Sequence, residues 1–404
     1  MLETLDIITD AVKQANWILI NQQLQQLLDK KDKTEAIEDK EIEQALTIAI
    51  QILQVGDFQV RWDIAKIFPK IGKRAIAPLL EILNSPSADL EMRWFALRIL
   101  GEFDEPQIVI SLVKLLEETQ EEELAIASAQ TLAKIGQPAI SGLIKLLKEE
   151  KSRLLAVKSL AQIRRSQVIE PLLSVVNDSV AEVRAIAIEA LGSFHHKHLM
   201  PVFIAALKDT SFSVRKEAII ALKVRDYLKE EFDLVNCIKP LLYDFDSQVC
   251  QQAVLAMGCM KDEAAIKALS DVLNFKNAPL FIKQEAVRAL NWSSSFIALD
   301  CLKENLYSND IKLTQEIITV LGRQESIEFK SYATEILIGF LNSEEEIRYQ
   351  LGIKQLVATS LGELGDTNAL TYLEKLADDE NSKVRLYAKA AIKKVKGKQQ
   401  YTVI

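Results

Sequence analysis

Two tryptophans each carry a cation four residues on, Trp62 with Lys66 and Trp94 with Arg98, and these pairs are the residues best placed to grip a ligand. On a helix, positions i and i+4 share a face, so an ammonium or guanidinium can lie over an indole. Such a pair offers a partner both an apolar plane and a positive charge. Phe95 follows the second tryptophan directly. The same tryptophans suit a seam between packed helices, so a binding and a packing reading both stand.

Other chemistries have less to work with. His195, His196 and His198 invite a metal reading, because imidazole is a common ligand for zinc, copper or iron. They follow Leu191 and Gly192 in a turn with no Cys or carboxylate at ligand spacing, where a histidine also complements a helix C-terminus; they read as structural or solvated. Cys237, Cys250, Cys259 and Cys301 form no Cys-x-x-Cys and read as reduced, small hydrophobic residues of a cytosolic chain. There is no Gly-rich phosphate loop, no Gly-x-Ser-x-Gly and no His-Glu-x-x-His. No catalytic residue is therefore named, and no intrinsic cofactor or metal is expected. The acidic runs Glu121 to Glu123 and Glu344 to Glu346 precede helices, where carboxylates favour the positive end of the dipole.

The elements that must hold these residues are helices. Apolar residues make up 49% of the 404 and aromatics only 6%, with 13 glycines and 9 prolines, which favours a packed all-α chain over sheets. A net charge of −8 argues against a broad footprint for nucleic-acid phosphates. The first ten residues carry Glu3, Asp6 and Asp10, unlike a signal peptide, and no apolar stretch approaches the roughly 20 residues of a membrane span. A cytoplasmic protein that engages neither membrane nor nucleic acid is expected.

One line recurs along the chain: an apolar residue, a basic or polar one, then small residues at helical spacing, leucine and glycine. Its clearest copies are Val183 Arg184 with Ala187, Ala190, Leu191, Gly192, and Met92 Arg93 with Ala96, Leu100, Gly101. About eleven copies step by roughly 28 to 40 residues, from Val60 Arg61 to Val384 Arg385. Each reads as an amphipathic helix ended by glycine, with Gly101, Gly136, Gly192, Gly258, Gly322 and Gly362 expected as left-handed caps. A second helix follows, marked near its start by Pro78, Pro138, Pro171 or Pro201. Asp178, Asp209, Asp244 and Asp379 lie in the returning turns, where they can cap the next helix or pair with the Arg of their own or an adjacent unit. Residues 1–55 read as a helical N-terminal cap, 56–395 as one continuous array and 396–404 as a flexible tail. The wider step between Leu321 and Ile353 implies an insertion or an extended helix pair.

This pattern resembles the HEAT repeats, in the short variety of phycobilin lyases. The resemblance covers about 42–395 and implies a right-handed α–α superhelix, an armadillo-like solenoid in which the Arg-bearing helices line a concave groove. It places Trp62, Lys66, Trp94 and Arg98 on that inner wall and implies a scaffold or adaptor that binds a protein partner there. The run Arg93 Trp94 Phe95 Ala96 is similar to that of the E-type bilin lyase subunits, although Arg98 and Ile99 stand where those tend to carry a Trp pair. On that likeness Trp62, Trp94 and Phe95 would supply apolar faces to a bilin and Lys66 or Arg98 would pair its propionates. Similar cyanobacterial solenoids include the partner of an A-type iron–sulfur carrier. The resemblance thus implies two partner classes, a phycobiliprotein subunit or an iron–sulfur carrier, and two cofactors met through a partner, a bilin or a shared cluster. Lyase activity of the E/F type is the enzymatic alternative.

Overall fold

The computed structural model describes residues 17–29, 39–308 and 310–399; of the segments assigned above, residues 1–16, 30–38, 309 and 400–404 lie outside these. The chain divides into two compact units, Met1–Phe194 and His195–Ile404. Every regular element among the described residues is helical.

In the amino-terminal unit, Trp17–Asp29 and Asp39–Val55 precede a series of hairpins. Its first helices are Phe58–Ala65, Leu90–Leu100, Glu122–Ile135, Glu150–Gln162 and Ala181–Gly192. Between them run the second helices Ile76–Asn84, Pro106–Glu118, Ile140–Leu146 and Ile169–Leu173. First helices pack on first helices and second on second. The carboxy-terminal unit repeats the scheme, with first helices Phe212–Lys223, Ser247–Met260, Leu280–Trp292, Ile311–Leu321, Leu351–Leu364 and Ser382–Gln399. The wide step before Ile353 is an extended helix, Ile327–Asn342, followed by a 3-10 turn at Glu346–Tyr349. The last helix runs through Gln399, so residues 396–399 continue the array rather than begin a tail.

The repeat's small and apolar positions are its core. Phe95, Ala96, Leu100, Leu132, Leu160, Ala187 and Leu191 are fully buried, and each large side chain withdrawn from water contributes about 1.5–3 kcal/mol. A lone hairpin cannot cover its stripe, so stacking is what closes the core.

Polar residues fix how the hairpins stack. Asp57, Asp89, Asp246 and Asp310 each accept an N–H from the first turn of the helix they precede. The repeat cation then reaches such a turn in the next unit. Arg61 donates to both Asp89 oxygens, at 3.0 and 2.9 Å, and to Glu91. Arg215 grips Asp244 through Nε and a terminal nitrogen at 2.8 and 2.7 Å, with both side chains nearly buried. Arg153 meets Asp178 at 3.1 Å and Lys354 meets Asp379 at 2.6 Å. Cations at the same repeat position also hold their own incoming turn: Arg184, Arg215 and Arg385 donate to the carbonyls of Asp178, Asp209 and Asp379, six residues back. At two positions where the cation is replaced by a smaller donor, that bond persists. Cys250 donates its thiol to Asp244 O and Thr314 its hydroxyl to Ser308 O.

The carboxylates respond as ion-pair partners. The hydrogen bond from Arg61 holds Asp89 below the usual aspartate range, and that from Lys354 does so for Asp379. Burial alone would raise Asp244; the bonds from Arg215 and from the Asp246 N–H outweigh it and lower it.

The glycines depart from the sequence expectation. Of the six expected left-handed caps only Gly136 has a positive φ, of 79°. Gly101 and Gly322 are right-handed, and Gly192, Gly258 and Gly362 still lie within their helices. Close approach is the reason at four of them. A Cβ on Gly101, Gly258, Gly322 or Gly362 would lie 2.7–3.0 Å from Thr131, Ala289, Ser360 or Ala391 on the next first helix.

Alanine at Gly362 should therefore destabilise the chain. Helix propensity favours it by about 1 kcal/mol, but overlap with Ala391 Cα and Cβ at 2.9 Å involves backbone that cannot swing aside. Overpacking of this kind costs about 1–3 kcal/mol. Urea unfolding should show a loss for Gly362→Ala and a gain for Gly339→Ala, whose added Cβ meets nothing within 4 Å. A gain at both positions would contradict the close-packing account.

Candidate functional site

The helices Phe58–Ala65 and Leu90–Leu100 bring the sequence's two tryptophans together, but with a different cation than helical spacing suggests. Lys66 turns away from Trp62 and pairs with Asp63 at 2.8 Å; that bond holds the Asp63 carboxyl below its ordinary range. Over Trp62 lies Arg98 of the neighbouring helix, its guanidinium carbon 3.9 Å from the ring centroid. The same group stands 5.8 Å from the Trp94 ring on its own helix. One guanidinium thus spans two indoles across the seam, and the i, i+4 pairing of Trp62 with Lys66 is replaced by a contact between repeats. The short Phe58–Ala65 helix ends at Lys66, whose ammonium finds a carboxylate three residues back before it can reach an indole four back.

Phe58 joins this cluster, unnoticed in the sequence. Its ring stacks on Trp62 at 6.0 Å and meets Phe95 at 5.4 Å while remaining half exposed. Phe95 packs edge-on to Trp94 at 5.2 Å and is wholly buried, so it has no surface for a ligand. It occupies the core side of its helix, one residue past the outward Trp94. The accessible site is therefore Phe58, Trp62, Trp94 and Arg98, with Lys66 at its margin.

Beside it lies a cleft of about 240 Å³ lined by Trp94, Arg98, Gln130 and Lys134 among others. Lys134 pairs with Glu102 on the same cleft. Arg98 is exposed and has no ion pair or hydrogen bond with another described residue, so its N–H groups are open to solvent while its guanidinium carbon sits over the indoles. That arrangement can take a carboxylate in the guanidinium plane and an apolar side chain on the rings.

The remaining sequence candidates stay apart from this site. His195, His196 and His198 are exposed, with the last two rings 5.4 Å apart. Among the described residues no group of three His, Cys, Asp or Glu could hold a metal ion. The four cysteines are free. Burial pushes the thiols of Cys237, Cys250 and Cys301 up, away from the thiolate a cluster needs. These residues do not fit a cluster held by this chain. No described helix is long and apolar enough to cross a membrane.

Comparison with known proteins accords with the hairpin scheme. Residues 76–161 and 169–231 match the family of HEAT repeats. Over 165 residues the chain is 26% identical to Protein YibA of Escherichia coli (strain K12), a match spanning 39% of this chain and 58% of YibA. Its fold is similar to that in a structure of Kap95p with RanGDP, with a TM-score of 0.60 at 14% identity over 87% of this chain and 55% of that one. Importin beta gives 0.53 at 13% identity, with the same coverage of each chain. The chain thus spans little more than half the length of these relatives. The fold is an all-α solenoid of the HEAT and armadillo-like kind.

The cation assignment makes a direct prediction. Arg98→Ala should cost no more than about 1 kcal/mol, as for an exposed cation–π contact, yet raise the acrylamide quenching of tryptophan by uncovering Trp62. Lys66→Ala should leave quenching unchanged; the reverse pattern would restore Lys66 as the partner.

Proposed function

We propose that the chain is a binding module whose amino-terminal first helices hold a protein partner on the face that carries Trp62, Trp94 and Arg98. The observation that carries this reading is the pair of partly buried indoles bridged by an exposed guanidinium with no protein carboxylate of its own. Aromatic and Arg side chains that are rigidly placed yet still accessible are the groups that dominate binding energy at interfaces. Arg98 is fixed by the rings it lies on, so little rotamer freedom is lost when a partner arrives. The likeness to the structure of Kap95p bound to RanGDP supports a solenoid as a platform for proteins.

Two partner classes follow from the finer resemblance of the repeats, an iron–sulfur carrier and a phycobiliprotein subunit. For the second, the enzymatic alternative is bilin attachment or chaperoning. An open-chain tetrapyrrole has the apolar plane and the carboxylates that Trp62, Trp94 and Arg98 could receive, without help from the buried Phe95. Under either class the chain itself serves as the holder.

Affinity capture with the full chain, compared with Trp94→Ala, tests the reading. Removing this indole should lose about tenfold or more in affinity, the effect of deleting an aromatic anchor worth about 1.4 kcal/mol or more, and the partner should drop out of the captured set. Recovery of phycobiliprotein subunits or of an iron–sulfur carrier would distinguish the two classes. An identical partner set from both proteins would mean that the tryptophans only pack.

A further inference from the structure

The first four of the five first helices in the amino-terminal unit present two parallel rows, one residue from each repeat; the fifth ends both, with a buried Ala185 and an acidic Glu189 at these positions. The residue after the repeat-cation position gives an apolar row, Trp62, Trp94, Ile126 and Leu154, each at least partly accessible. Four residues further on lies a polar row, Lys66, Arg98, Gln130 and Lys158, all exposed. Packing of neighbouring first helices side by side sets these rows across the helix axes, and the approach of Arg98 to Trp62 shows that the two rows meet between repeats.

The polar row is cationic but unevenly neutralised. Lys66 is paired with Asp63 and Lys158 with Glu182. Arg98 has no such partner. Past Lys134, which borders the cleft beside Arg98, a wider cleft is edged by Arg164 and Arg165, both exposed and without a described ion pair, opposite the single acid Asp104. This unbalanced positive charge stands out in a chain of net charge −8.

We infer that this face binds an acidic, extended segment of a protein partner, with a carboxylate in the plane of Arg98, apolar side chains on Trp62 and Trp94, and further acids toward Arg164 and Arg165. This rests on the docking reading above and specifies its ligand. A guanidinium stacked on indoles keeps its in-plane N–H fork open for bidentate contact with a carboxylate. A basic segment would meet Arg98 already on the rings and would have to displace it. The spacing suits an extended chain. Adjacent helices lie about 8–10 Å apart, and a strand-like peptide advances about 3.3 Å per residue, so every third residue or so meets the next helix.

The test is selection of random 12-residue peptides displayed on phage against the full chain, with affinities of synthetic winners measured by fluorescence polarisation. The expected winners combine Asp or Glu with large apolar residues about three positions apart and bind more weakly as salt rises. Arg98→Glu should weaken them by about tenfold or more, and selection against that variant should turn toward basic peptides. Arg98 is exposed, so circular dichroism should show the variant folded. Basic winners against the unaltered chain, or acidic winners indifferent to Arg98→Glu, would overturn this inference. If winners of any charge are still lost on Trp94→Ala, the docking reading survives that result; if no peptide is selected at all, both fall.

Discussion

In the repeats of Arg61, Arg153 and Arg215 a single side chain joins three pieces of backbone. The cation near the start of a first helix holds the carbonyl of its own incoming turn and then the carboxylate that opens the next repeat, as Arg215 does with Asp209 O and Asp244. Apolar contact has no direction, and stripes of Leu, Ile and Ala would tolerate sliding of one hairpin on another. A bidentate guanidinium–carboxylate pair does not tolerate it. Close glycine contacts then set the distance: Gly258, Gly322 and Gly362 admit the next helix to where any Cβ would collide.

The same constraint builds the site. Arg61 anchors Asp89, and Asp89 caps the helix that carries Trp94 and Arg98. Trp62 is the neighbour of Arg61 in sequence. Fixing Arg61 to Asp89 therefore phases one helix against the next so that Arg98 lands on Trp62. Register and binding face are one piece of geometry, which is why a guanidinium can be held over an indole without a carboxylate to hold it.

The repeat was legible because its physics is periodic. Arg, Asp and small residues recur at the same helical positions, and the copies corroborate one another. Contacts between repeats were harder to see. Helical spacing assigned Lys66 to Trp62, whereas the true partner lies 36 positions on, at a distance that depends on how closely two helices pack. Phe58 went unnoticed because it precedes the periodic residues, and Phe95 passed for a surface ring because its burial follows from rotation about the helix axis. The glycines misled for a related reason. A glycine after leucine signals a helix end locally, but at Gly258 and Gly362 the helix continues and the missing side chain makes room for a neighbour. Cys250, read from the sequence as a small hydrophobic residue, keeps the local half of the tie through Asp244 O.

The most direct measurement of the tie is a double-mutant cycle on Arg215 and Asp244, the pair with both side chains nearly buried. Unfolding free energies of the chain, Arg215→Ala, Asp244→Ala and the double variant isolate the pairwise energy. A partly buried, bidentate, charge-assisted pair should give a coupling of about 2–3 kcal/mol. A coupling below about 0.5 kcal/mol, the range of an ordinary surface ion pair, would mean that apolar packing alone sets the register of the repeats.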